Sequence, residues 1–149
     1  MTLQEKLRAD LKQAMKSSDD TRKSLIRLVL AGVKNTEIDK GAPIDDSGVI
    51  DVISREVKRH RESIAEFGKG NRHDLVAKEE AELTILLEYL PPQLSREEIA
   101  EAARKVIEQV GARGPGDKGK VMSQLMPQLK GKGEGREINE VVSELLASS

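Results

Sequence analysis

Leu90-Pro91-Pro92-Gln93-Leu94-Ser95-Arg96-Glu97-Glu98 is the stretch on which the reading of this 149-residue chain turns. Proline has no N–H to donate and forces its predecessor out of the helical region, so no helix runs through Pro91-Pro92. Ser95-Arg96-Glu97-Glu98 then has the form of a capping box, with a hydroxyl at the cap and a carboxylate three residues on. One helix must stop before the prolines and another must start at Arg96. The chain is thereby hinged into residues 1–92 and 93–149.

Working upstream, Thr2-Leu3-Gln4-Glu5 has the same capping form and opens a helix with Leu3, Leu7, Leu11 and Met15 as its stripe. Ser17-Ser18-Asp19-Asp20 breaks it and caps a second helix carrying Leu25, Ile26, Leu28, Val29, Gly32 and Val33. After the turn Ala42-Pro43-Ile44-Asp45-Asp46, a third helix has Ile50, Ile53, Val57, Ile64 and Phe67 in near-heptad spacing. A fourth starts near Asp74, with Val76, Leu83, Leu87 and Leu90 as its apolar face.

Downstream, the helix from Ser95 runs through Ile99, Ala103, Val106 and Val110 to Gly111. Two shorter helices follow. One runs from about Asp117 to Met126 and ends at Pro127, with Val121, Leu125 and Leu129 inside. The other runs from Glu134 to Leu146 and buries Ile138, Val141, Val142 and Leu145. No segment alternates with period 2, so the expected fold is all-α: a four-helix N-terminal domain and a small three-helix C-terminal tail. A tail of about 55 residues is near the lower limit for folding alone.

Composition removes several function classes. There is no Cys, hence no disulfide framework, thiolate zinc site or cysteine nucleophile. The single Phe, single Tyr and absent Trp leave an aliphatic core and no platforms for stacking single-stranded bases. A net charge of −1 confines any nucleic-acid contact to a local patch. Met1-Thr2-Leu3-Gln4-Glu5 has no apolar run of the signal-peptide kind, and no stretch approaches the roughly 18 apolar residues of a membrane span. The expected location is cytoplasmic, without membrane contact.

The tail holds the local patch. Gly111-Ala112-Arg113-Gly114-Pro115-Gly116-Asp117-Lys118-Gly119-Lys120 and Lys130-Gly131-Lys132-Gly133-Glu134-Gly135-Arg136 flank one short helix and open another. From Arg113 to Arg136, six basic residues face two acidic ones. Helix heads rich in Gly and Lys offer free N–H groups and cations to an anion. The expected site is a nucleic-acid backbone contact with Lys118, Lys120, Lys130, Lys132 and Arg136 as charges and N–H groups near Gly119 and Gly135. The alternative is that the glycines punctuate helices and the lysines keep the surface soluble. A Walker phosphate loop is excluded, since it needs a preceding strand and a terminal Gly-Lys-Ser/Thr. Asn139, polar within an apolar helix start, is read as a tie to the loop between Lys130 and Arg136.

Other candidates are weaker. Arg55, Lys58, Arg59 and Arg61 interleave with Glu56 and Glu62 and read as a solvated helix face. His60 borders the apolar stripe and reads as a packed histidine, while His73 lies in a loop. Glu79, Glu80 and Glu82 sit early in the fourth helix, where carboxylates favour the dipole. No ligand spacing and no nucleophile–base pair emerges, so neither metal nor cofactor nor catalytic residue is expected.

The stretch Gly-Asp-Lys-Gly-Lys-Val-Met from Gly116 and the stretch Met-Pro-Gln-Leu-Lys-Gly-Lys-Gly-Glu-Gly-Arg-Glu-Ile-Asn-Glu-Val-Val ending at Val142 resemble the GatB/YqeY family. Glu88-Tyr89-Leu90-Pro91-Pro92-Gln93-Leu94-Ser95 and Leu25-Ile26-Arg27-Leu28 are similar to its stand-alone YqeY-like members. The resemblance covers essentially the whole chain. One departure is Gly133, where family members more often carry Ala. The loop-and-helix motif recurs in the tail of the B subunit of glutamine-dependent aminoacyl-tRNA amidotransferases, which is implicated in holding tRNA. The resemblance implies tRNA, or a tRNA-bound enzyme, as partner, and does not carry over catalysis. Three readings stay open: a tRNA-associated binding module; a protein-interaction module docking on an amidotransferase subunit or synthetase through the third helix; and an accessory amidotransferase acting in trans.

Overall fold

The computed structural model describes residues 1–148. Among the described residues all regular structure is helical: α1 (Leu3–Lys16), α2 (Asp20–Lys40), α3 (Asp46–Lys69), α4 (His73–Leu87), α5 (Arg96–Val110), α6 (Lys118–Gln128) and α7 (Gly135–Ala147), with a short 3-10 turn at Pro115–Asp117. Two compact units are present, Met1–Leu90 and a second beginning at Pro91.

Short polar side chains start most helices. The Thr2 hydroxyl accepts the Glu5 N–H at 3.1 Å, and Asp46 on α3 accepts the Leu3 N–H at 2.9 Å, so α1 is also capped from a neighbour. Asp19 accepts from Arg22 N–H at 3.1 Å and Asp45 from Gly48 N–H at 3.0 Å. At α5 the box closes in both directions: Glu98 N–H to Ser95 Oγ at 3.2 Å, Ser95 N–H to Glu98 Oε1 at 2.9 Å. Gly41 and Gly111 end α2 and α5 at φ 72° and 67°, in the left-handed region that glycine enters freely.

In the first unit α1 lies along α2 and α3 along α4. Leu7, Ile26, Val29, Val33, Ile53 and Leu86 form its centre, joined by Tyr89. Gly32 brings α2 onto α3: a Cβ there would lie 2.9 Å from Val52 Cγ1. Two residues expected on apolar stripes face outward, Met15 at 53 % exposure and Leu28 at 45 %. Helix geometry explains Met15. Each step of four residues turns the stripe by about 40°, so three steps from Leu3 carry it well off the buried face. Ala14, seven residues after Leu7, returns to within about 20° of it and is buried instead.

The second unit is a mutual packing of α5, α6 and α7. Ile99, Ala103 and Val106 meet Val121, Leu125 and Leu129 from α6 and its C-cap, and Ile138, Val141, Val142 and Leu146 from α7. Leu146 takes the core position expected of Leu145, which lines a shallow groove beside Ile107 and Ala112. α6 runs past Pro127 to Gln128: the proline forfeits its own N–H bond and crowds the Ser123 carbonyl, but Leu129 N–H still reaches Leu125 O at 3.1 Å and closes the last turn.

Candidate nucleic-acid interface

The first basic loop leaves α5 through Gly111 and is closed on itself by Asp117, whose Oδ2 accepts the Arg113 N–H at 2.9 Å. The 3-10 turn then feeds directly into α6, so Lys118, Gly119 and Lys120 form its first turn. Among the described residues no side-chain cap hydrogen bond is made at the head of α6 or at that of α7 at Gly135. At α6 the Lys118 N–H is taken by Pro115 O and no acidic residue lies in the first turn, whereas Glu137 lies in the first turn of α7.

The second loop is shaped from an unexpected direction. Leu94 N–H donates to Lys132 O at 2.8 Å, and Gln93 Nε2 donates to Gly131 O at 2.7 Å and to Pro91 O at 2.9 Å. The residues just after Pro91-Pro92 thus hold the backbone from which Lys132 projects. Gly131 has φ 74°, a conformation that a side chain would strain. At Gly133 a Cβ would sit 3.3 Å from Ile99 Cδ1, so an alanine would press on the tail core.

Of the expected cations, Lys118 reaches across to α7. Lys118 Nζ donates to Asn139 Oδ1, and Asn139 lies one helical turn after Arg136 on the same face of α7. Asn139 therefore joins α7 to the head of α6. Arg136 is 88 % exposed, its Nε 3.8 Å from Glu140 Oε1. Lys120 and Lys130 are exposed and Lys132 half-buried. Gly119 and Gly135, whose N–H groups were expected at the site, are both exposed, and Met126 Cε would lie 3.7 Å from a Cβ at Gly135. Arg104, Glu108 and Arg113 line the shallow groove.

In the first unit, the near-heptad face of α3 is turned inward, with Ile53 and Val57 buried. His60 is 5 % exposed. Its Nδ1 lies 2.8 Å from Glu56 O, and its Nε2 lies 3.0 Å from Glu82 Oε2 and 3.5 Å from Glu79 Oε2. Burial opposes the ring's positive charge. The bonds to the Glu56 carbonyl and Glu82, with the charges of Glu79 and Glu82, outweigh that and raise its pKa above the ordinary histidine value. These residues were each read separately in sequence; only the pairing of α3 with α4 assembles them.

No described helix is long and apolar enough to cross a membrane. Comparison with known proteins adds a family and removes a location. A family model described as Yqey-like protein matches residues 4–146. Among similar proteins is one named "Altered inheritance of mitochondria protein 41, mitochondrial". That of Lachancea thermotolerans is 46 % identical over 85 residues, covering 56 % of this chain and 46 % of the relative. That of Eremothecium gossypii is 44 % identical over 100 residues, covering 65 % and 55 %. In Saccharomyces cerevisiae (strain YJM789) the identity is 33 % over 126 residues, covering 83 % of this chain and 68 % of the relative. The chain spans about half the length of the first two of these relatives. All three are named as mitochondrial proteins, which contradicts the cytoplasmic location expected above. That expectation rested on the lack of an apolar leader, a feature that bears on secretion and not on other addresses. With a match over nearly its whole length, the chain belongs to the YqeY-like protein family.

Proposed function

We propose that this chain is a tRNA-associated binding module whose tail contacts the phosphate backbone through its two basic loops, as the resemblance to the amidotransferase B-subunit tail suggests. The observation that carries the reading is the pair of helix heads without side-chain caps, at Lys118 and Gly135, linked by the Lys118–Asn139 bond. Backbone N–H groups, a helix dipole and mobile cations are the groups that bind phosphate, and none of them needs the aromatic residues this composition lacks. Residues 1–92 and 93–149 act, in the same proposal, as a four-helix and a three-helix domain. Support comes from their hydrophobic clusters, which share no residue. The module has no catalytic role of its own; it presents tRNA, or a tRNA-bound enzyme, to chemistry performed elsewhere.

The test is binding of deacylated and mischarged tRNA over a salt series. Removing one phosphate-binding cation should flatten the slope of log K against log salt by about 0.7–0.9. The Lys118→Ala/Lys120→Ala/Lys132→Ala variant should bind more weakly and with a flatter slope; unchanged affinity and slope would refute the proposal. A partner recovered from extract should also disappear on RNase digestion. A complex that survives digestion would point to a protein partner instead.

A further inference from the structure

We propose that His60, Glu79 and Glu82 form a binding site for a divalent transition-metal ion of the Zn2+ type, which clips α3 to α4. All three residues belong to the first unit. Its chemistry begins with which atoms can donate. A backbone carbonyl only accepts, so the 2.8 Å contact from Nδ1 to Glu56 O requires the proton to be on Nδ1. In the neutral ring Nε2 is then a bare lone pair, and it faces two carboxylate oxygens that also only accept. Three lone-pair donors converge, so a proton, on Nε2 or on a carboxylate, or a metal ion must lie among them.

Charge and geometry favour an ion when one is supplied. With the ring protonated, the three side chains still carry one excess negative charge; a divalent ion on a neutral ring balances them. Glu79 and Glu82 are three residues apart on α4 and so share a face. All three ligand atoms lie within 4.8 Å of one another. Tetrahedral Zn2+ with bonds of about 2.0–2.1 Å holds its ligands about 3.3 Å apart. The separations of 3.0 and 3.5 Å from Nε2 bracket that value. The Nδ1–H to carbonyl bond is also of the kind that orients metal-binding histidines and fixes their tautomer.

Glu56, one turn before His60 on α3, is 9 % exposed, and its Oε1 pairs with Arg59 Nη1 at 3.2 Å. Glu79 and Glu82 keep 21 % and 18 % of their side-chain surface, so water can reach the fourth coordination position. One nitrogen with carboxylate oxygens suits Zn2+ and its first-row neighbours and offers nothing to ions that need thiolate.

The experiment is equilibrium dialysis of chelator-stripped full-length protein against ZnCl2, with bound metal measured by atomic emission. About one Zn2+ per chain is expected, and the thermal midpoint should rise with added ZnCl2. Glu79→Gln and Glu82→Gln, each checked for helicity by circular dichroism, should each weaken binding by about tenfold or more. His73→Gln, which alters the other histidine, should bind as the parent does. A readout on the unmutated protein guards against variants that misfold: in long-range 1H–15N spectra ZnCl2 should shift the His60 Nε2 signal while Nδ1 keeps its proton. Substoichiometric binding, unchanged affinity in both glutamine variants, or an unmoved His60 signal would each overturn the assignment.

Discussion

Leu125→Ala puts the packing of the tail and its independence to one test. Leu125 is fully buried in the cluster joining α5, α6 and α7. Truncating such a leucine removes its transfer energy and leaves a cavity, a loss of about 3–5 kcal/mol. A unit of about 58 residues holds only about 3–9 kcal/mol in total. The substitution should therefore bring the tail close to unfolding at room temperature. The molecule supplies its own reporters. Tyr89 is the only tyrosine, no tryptophan competes with it, and it is buried in the first unit. Its fluorescence follows that unit alone, whereas circular dichroism at 222 nm follows both. Roughly a third of the α-helical residues lie in α5, α6 and α7. In urea, the variant should lose about that share of helical signal early, while the Tyr89 transition stays where it is in the parent. A Tyr89 midpoint that moves with the dichroism would show one cooperative structure and refute the division into two domains. A loss below about 1 kcal/mol would refute the central place given to Leu125.

Two further outcomes follow from the first unit. Gly32→Ala should destabilise it in urea, because the new Cβ would lie 2.9 Å from the branched side chain of buried Val52; the overpacking cost of about 1–3 kcal/mol exceeds the helix-propensity gain of about 1 kcal/mol. A more stable variant would show that α2 and α3 have room to spare. Burial first, and then its bond to Asp10, push the Tyr89 phenol well above the usual tyrosine value. Because the folded value exceeds the unfolded one, this contact's stabilisation is complete below about pH 10 and fades as pH rises toward the folded value. Absorbance at 295 nm should show Tyr89 still neutral where free tyrosine is half ionised, and Asp10→Asn should ionise at lower pH than the parent. Equal titration of the two proteins would remove Asp10 as a cause.

Much of the fold could be read from local chemistry. The caps at Thr2, Asp19, Asp45 and Ser95 act through hydroxyl and carboxylate oxygens within three residues of the N–H groups they satisfy, so residue type and spacing were enough. Stripes of valine, isoleucine and leucine marked the inner faces for a similar reason. They misled at Met15 and Leu28, where a run of apolar residues is wider than the face that a neighbour covers. The site was legible as composition only. The glycines and lysines of the tail announced two anion-friendly loops, but Lys118 on Asn139 and the clamp of Gln93 and Leu94 on the second loop join residues more than twenty apart.

By itself, then, the sequence determined the helices, where they start, and the local excess of positive charge in the tail, because each depends on groups a few residues from one another. Only the tertiary structure decided which side chains meet. It turned the near-heptad face of α3 inward, joined the head of α6 to α7, and set His60 between Glu79 and Glu82. Local spacing specifies a helix and its apolar face, but not which helix will cover that face. The partners of a side chain follow from packing two elements together, and that choice is made by the whole core.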